Sequence, residues 1–88
     1  GSNKKEEQRL CGEKIANAQV SEWMEDDGNE KVKKKIEESI NEGVRRLEMI
    51  KKELDANEAR SCNLGELAYE IAKVDKFKNI LAQMEKGV

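Results

Sequence analysis

The chain has 88 residues, 36% hydrophobic and 41% charged, with a net charge of −2, no histidine and no proline. A chain of this length supports one domain with a modest core, burying about 60% of the surface it exposes when unfolded. Without histidine it lacks the usual neutral-pH base, the commonest metal ligand and any Ser-His-Asp or Cys-His arrangement, so no enzymatic activity and no cofactor are expected.

High Glu and Lys, one each of Trp, Tyr and Phe, and no Pro describe long helices with an aliphatic core. The low net charge and the helical spacing of the apolar residues argue against disorder. Gly1-Ser2 resembles an expression scar, so residues 1–3 are expected to be disordered and residues 4–88 to form a single helical domain.

The first helix is expected over about 5–25. Ala16, Val20, Trp23, Met24 and Leu10 share one face at ~100° per residue, while Cys11, Ile15 and Ala18 share another. The two-sided pattern, with Gly12 costing about 1 kcal/mol relative to Ala, marks this helix as the least secure. It is either wedged between neighbours or partly free until a partner binds.

Glu25-Asp26-Asp27-Gly28-Asn29 reads as a break, with Gly28 reversing the chain. Asp27 with Glu30 forms a capping-box pattern for the next helix, and Asn29 is an alternative N-cap. A calcium loop does not fit, because placing Gly28 sixth puts Trp23 at the first ligand position.

The second helix is expected over about 30–56, where Val32, Ile36, Ile40, Val44, Leu47, Ile50 and Leu54 make one apolar stripe. It would be about 40 Å long and unstable alone. Residues 57–63 read as a loop, with Asn63 and Glu66 capping a third helix over about 64–86. That helix carries Leu64, Leu67, Ile71, Val74, Phe77, Leu81, Met84 and Val88, with Gly87 as a C-cap. A short loop between long amphipathic helices makes them antiparallel neighbours. The expected fold is therefore all-α: a long antiparallel helical hairpin plus an N-terminal helix, as a three-helix or coiled-coil-like bundle. Its core would be completed by the first helix or by self-association into a four- or six-helix assembly.

Charge is segregated. Residues 1–30 carry eight acids and four bases, and residues 31–52 four acids and eight bases. The first helix is thus expected to fold back along the second, although exposed pairs contribute at most ~1 kcal/mol each.

Exclusion leaves protein binding. No phosphate-cradling glycine loop and no zinc spacing is present, and no apolar run reaches the ~20 residues needed to span a bilayer. Cys11 and Cys62 read as reduced thiols of a cytoplasmic protein; a bridge would need their Cα atoms within ~7 Å. The expected function is a small interaction module, acting as an adaptor, co-chaperone or inhibitor, that offers apolar helix faces to another protein or to itself as a homodimer. Leu10, Val20, Trp23, Met24 and Tyr69 are its candidate contacts, because tryptophan is enriched at binding hot spots. The alternative is a small dimeric nucleic-acid-binding regulator using Lys33, Lys34, Lys35, Arg45 and Arg46. Interleaved Glu37, Glu38, Glu42 and Glu48, and the lack of aromatics among these bases, weigh against it.

Overall fold

The computed structural model describes residues 3–56 and 61–87. Three helices follow in chain order: α1 (Asn3–Asp26), α2 (Asn29–Asp55) and α3 (Ser61–Lys86). The fold is all-α, and the described residues contain no strand. Among the described residues, no helix is long and apolar enough to cross a membrane.

The central element is α3. Only eight of its 26 residues are charged, against fifteen of 27 in α2. α3 can therefore present apolar surface over a wide arc and accept a neighbour on each side, whereas α2 offers a single stripe. Gln8 lies against Gly65, Gly12 against Tyr69 and Ala72, and Trp23 against Phe77, so α1 and α3 run in the same direction. Gly43 meets Val74, and Arg46 meets Glu66 and Glu70, so α2 runs antiparallel to α3.

The α1–α3 interface is the most extensive in the molecule, and α1 and α2 touch little. This corrects two expectations. The first helix is not the loosely held element, and it does not lie along the second. The ion pair from Asp27 to Lys35 ties the turn to α2, but a charge match between exposed side chains is too weak to align two whole helices against burial on α3.

Burial explains the preference. Ala16, Val20, Val32, Ile36 and Phe77 form one buried cluster, with Trp23, Ile40, Ile80, Leu81 and Met84 packed against it. The buried positions of α1 are Gly12, Ala16 and Val20, one per turn. A Cβ placed on Gly12 would overlap the carbonyl oxygen of Tyr69 and lie 3.1 Å from the Lys73 nitrogen and 3.2 Å from the Ala72 Cβ. Here α1 meets α3 backbone to backbone, so the residue that weakens α1 as an isolated helix is the one that lets it dock. Gly43 does the same for α2, where an added Cβ would overlap a methyl of Val74.

These contact lines shift several side chains. Leu10 and Met24 are 45% and 51% exposed, because the buried line of α1 follows Gly12, Ala16 and Val20. Val44 is 37% exposed, since its neighbour Gly43 holds the contact with α3. On α3 the buried line passes through Glu70, Val74 and Phe77, leaving Ile71 44% exposed. The side chain of Leu64, and Val88, lie outside the described residues.

The helix ends differ as well. The N-cap of α2 is Gly28, at φ −74° and ψ 166°, and no side chain caps it. Asp27 turns to Lys35 instead, and Asn29 is already helical. α3 begins at Ser61, so Asn63 lies within it and is not its cap. Residues 57–60 of the expected loop lie outside the described residues. Gly87 follows α3 as expected, and its N–H donates to the Gln83 carbonyl at 2.8 Å.

Candidate functional site: a groove between the first and third helices

The residues singled out for partner binding do not form one patch. Val20 is buried in the core. Trp23 is half-buried and stacks on Phe77, with ring centroids 6.0 Å apart and planes 14° from parallel. The Lys35 ammonium lies over the Trp23 ring, 5.9 Å from its centre. Tyr69 is half-buried beneath Lys73, whose Nζ is 5.0 Å from the ring centre. Leu10 and Met24 are exposed, but fourteen residues of helix, about 21 Å, separate them.

Three of the five candidate phosphate contacts already face carboxylates. Lys33 pairs with Glu30 at 3.5 Å, Lys35 with Asp27 at 2.5 Å, and Arg46 with Glu70 at 3.1 Å and Glu66 at 3.7 Å. Lys34 and Arg45 are exposed and eleven residues apart on α2. Asp27 is held below its usual value chiefly by the hydrogen bond from Lys35; burial opposes this, and the charges of Lys35 and Lys31 add smaller lowering effects.

Cys11 is an exposed free thiol. The side chain of Cys62 lies outside the described residues.

Glu70 is a feature that the apolar pattern concealed. Its side chain is 4% exposed. Oε2 takes the Arg46 guanidinium, while Oε1 has the Lys73 ammonium at 3.4 Å without a well-aligned hydrogen bond. A carboxylate buried between α2 and α3 is tolerated because two cations compensate it. The available signal was its position four residues before Val74 and seven before Phe77, on the contact line itself.

A concave surface lies elsewhere. A groove of about 470 Å³ runs between α1 and α3. Ala68, Ile71 and Ala72 supply its apolar surface, and Lys5, Glu6, Arg9, Glu13, Asp75, Lys76 and Asn79 its polar rim. Arg9 is clamped between two carboxylates one turn away on either side: it donates to Glu6 at 2.5 Å and to Glu13. The hydrogen bond with Arg9 lowers the Glu6 pKa, and the same pair raises that of Arg9. No ion pair engages Lys5, Asp75 or Lys76 among the described residues. The arrangement offers an apolar seat for one or two side chains inside a ring of mixed charge.

None of these groove residues was singled out as a contact from the sequence. Ile71 was read as core, and the shallow small-residue seat around it follows from the docking of α1 at Gly12. Comparison with protein-family models, curated proteins and solved structures finds no match to this chain.

Proposed function

We propose that the chain is a small helical protein-binding module whose binding surface is the α1–α3 groove. The observation that carries this reading is Ile71, a large aliphatic side chain left 44% exposed in a concave seat between Ala68 and Ala72. Single exposed apolar residues are common on convex surfaces; one lining a groove with a polar rim has the form of a binding seat.

The mechanism is bundle completion: an apolar ridge of another helix, from another protein or a second copy, lies on Ile71 while its polar flanks meet the rim. An adaptor, co-chaperone or inhibitor acting in the cytoplasm, with Cys11 kept as a thiol, fits the same surface. The basic side of α2 supports the nucleic-acid alternative less well, because carboxylates engage three of its five candidate cations.

Affinity capture with the wild-type chain and with Ile71→Asp tests the proposal. Proteins bound by the wild type should be lost with Ile71→Asp and retained with Met49→Lys, a change at the 63%-exposed methionine on α2. Capture indifferent to Ile71→Asp would exclude the groove.

A further inference from the structure

We infer that Gly28 is a hinge at which α1 and α2 merge into one continuous helix, and that the merged chain docks α1 on α3 of a second copy, giving a helix-swapped dimer. This is independent of the α1–α3 groove.

The break between the two helices is confined to Asp27 and Gly28. Helical hydrogen bonding reaches it from both sides. The Asp27 N–H donates to the Trp23 carbonyl at 2.8 Å, and the Gly28 carbonyl accepts from the Val32 N–H at 3.1 Å. Gly28 combines a helical φ of −74° with an extended ψ of 166°. A rotation centred on that ψ, to about −40°, carries one helix into the other. The chain has no proline to block it, and glycine leaves the rotation free. The turned form is also poorly capped: no side chain caps α2, and the last turn of α1 carries no base. Merging pairs the terminal carbonyls of α1 with the first N–H groups of α2, which the turn holds apart. It also sets Asp27 four residues before Lys31, the favourable order for an acid and a base on one helix.

Within one chain, Lys35 holds the turn closed. Its ammonium pairs with Asp27 at 2.5 Å and lies over the Trp23 ring. On a single straight helix those two residues stand about 12 and 18 Å from Lys35 along the axis. α1 and α2 otherwise touch little, so opening the turn sacrifices chiefly the docking of α1 on α3. The buried line of α1, through Gly12, Ala16 and Val20, must then find another cover. The surface shaped for it is α3, down to the backbone approach at Gly12, and a second copy offers that surface again.

Symmetry agrees. The core residues of α1 and α2 are matched about Gly28: Val20 and Ile36 lie eight residues to either side, and Ala16 and Ile40 twelve. A two-fold axis perpendicular to the merged helix at Gly28 sets each residue before the hinge level with the one equally far after it in the other copy. The same pairs therefore stand level between copies, antiparallel as in the single chain, and Lys35 returns to Trp23 of the partner subunit.

Sedimentation equilibrium from micromolar to millimolar concentration tests the inference. The wild type should show monomer and dimer. Gly28→Ala should tighten the dimer about tenfold or more, since alanine is the better residue inside a helix and the poorer N-cap, and each dimer contains two hinges. An added Cβ there meets nothing within 4 Å in the turned form, so the turned fold also accepts this variant. Inserting three glycines after Gly28 should leave only monomer, because they weaken the merged helix and lengthen the turn. Ile71→Asp should leave the dimer unchanged; loss of the dimer in that variant assigns association to the groove and overturns the swap. Spin labels introduced by Glu7→Cys and Met49→Cys, with Cys11→Ser and Cys62→Ser, and diluted with unlabelled chain, read the geometry. In the dimer they should stand about 60 Å apart, farther than the 45 Å length of the single folded chain. A dimer in which the labels keep the distance of the monomer overturns the inference. So does a dimer indifferent to both hinge variants, or a Gly28→Ala chain that stays monomeric.

Discussion

Two side chains illustrate how single residues divide the work of this molecule. Glu70 is buried at the crossing of α2 and α3, and the cations that hold it come from Arg46 and Lys73. Removing one partner leaves a charge without compensation, while removing the charge itself relieves the desolvation cost. Arg46→Ala should therefore destabilise the fold by about 1–3 kcal/mol. Glu70→Leu should cost less than that or stabilise the chain, as urea denaturation of both variants will show. Asp27 acts differently, at the turn. Because Lys35 holds its pKa below the ordinary ~3.9 of an aspartate, the folded state binds fewer protons than the unfolded state in that range. The stability it contributes is present above about pH 4 and is lost as pH falls through the depressed value. Lys35 also lies over the Trp23 ring. Tryptophan emission should therefore change in an acid transition below about pH 4, and Asp27→Asn should remove that transition.

At the scale of the helices, the two close-approach glycines make a controlled comparison. Alanine is better than glycine in a helix interior by about 1 kcal/mol, so each Gly→Ala change gains in propensity what it then loses in overlap. At Gly12 the overlapped atom is a backbone carbonyl oxygen of α3, which moves only with its helix. At Gly43 it is one methyl of Val74, a side chain. Gly12→Ala should destabilise by about 1–3 kcal/mol, the usual cost of overpacking. Gly43→Ala should cost less, and Val74→Ala in the same chain should recover much of the loss. Thermal unfolding of the three variants gives the order. Gly28 is the opposite case, since nothing lies within 4 Å of an added Cβ and no side chain caps α2. Gly28→Ser should be neutral or stabilise by a few tenths of a kcal/mol.

For the molecule as a whole, α3 is the element on which the others depend. Phe77 is fully buried at the junction of all three helices, beneath Trp23 and beside Val32 and Ile36. Phe77→Ala should cost about 3–5 kcal/mol, a large share of the stability of a domain this small. Ile71→Asp, six residues earlier on the same helix, should leave helicity near the wild-type level because its side chain already meets water. The two residues are alike in hydrophobic spacing, and circular dichroism of these variants separates core from groove.

That contrast also marks what could be read before folding. Local chemistry determined the three helices, because no proline interrupts them and Val32, Ile36, Ile50, Val74 and Phe77 recur at helical spacing whatever they pack against. The absence of histidine, and with it the expectation of a non-catalytic role, also belongs to the sequence. The pairing of the helices was decided by tertiary structure. Spacing reports which residues can share a face but not which neighbour covers that face. The selection was made by two glycines whose missing side chains let α1 and α2 approach α3. That approach put Glu70 inside and Ile71 outside, although they are adjacent in sequence and the apolar pattern favours the reverse. The groove follows from that rotation of less than half a turn, which no one-dimensional period encodes.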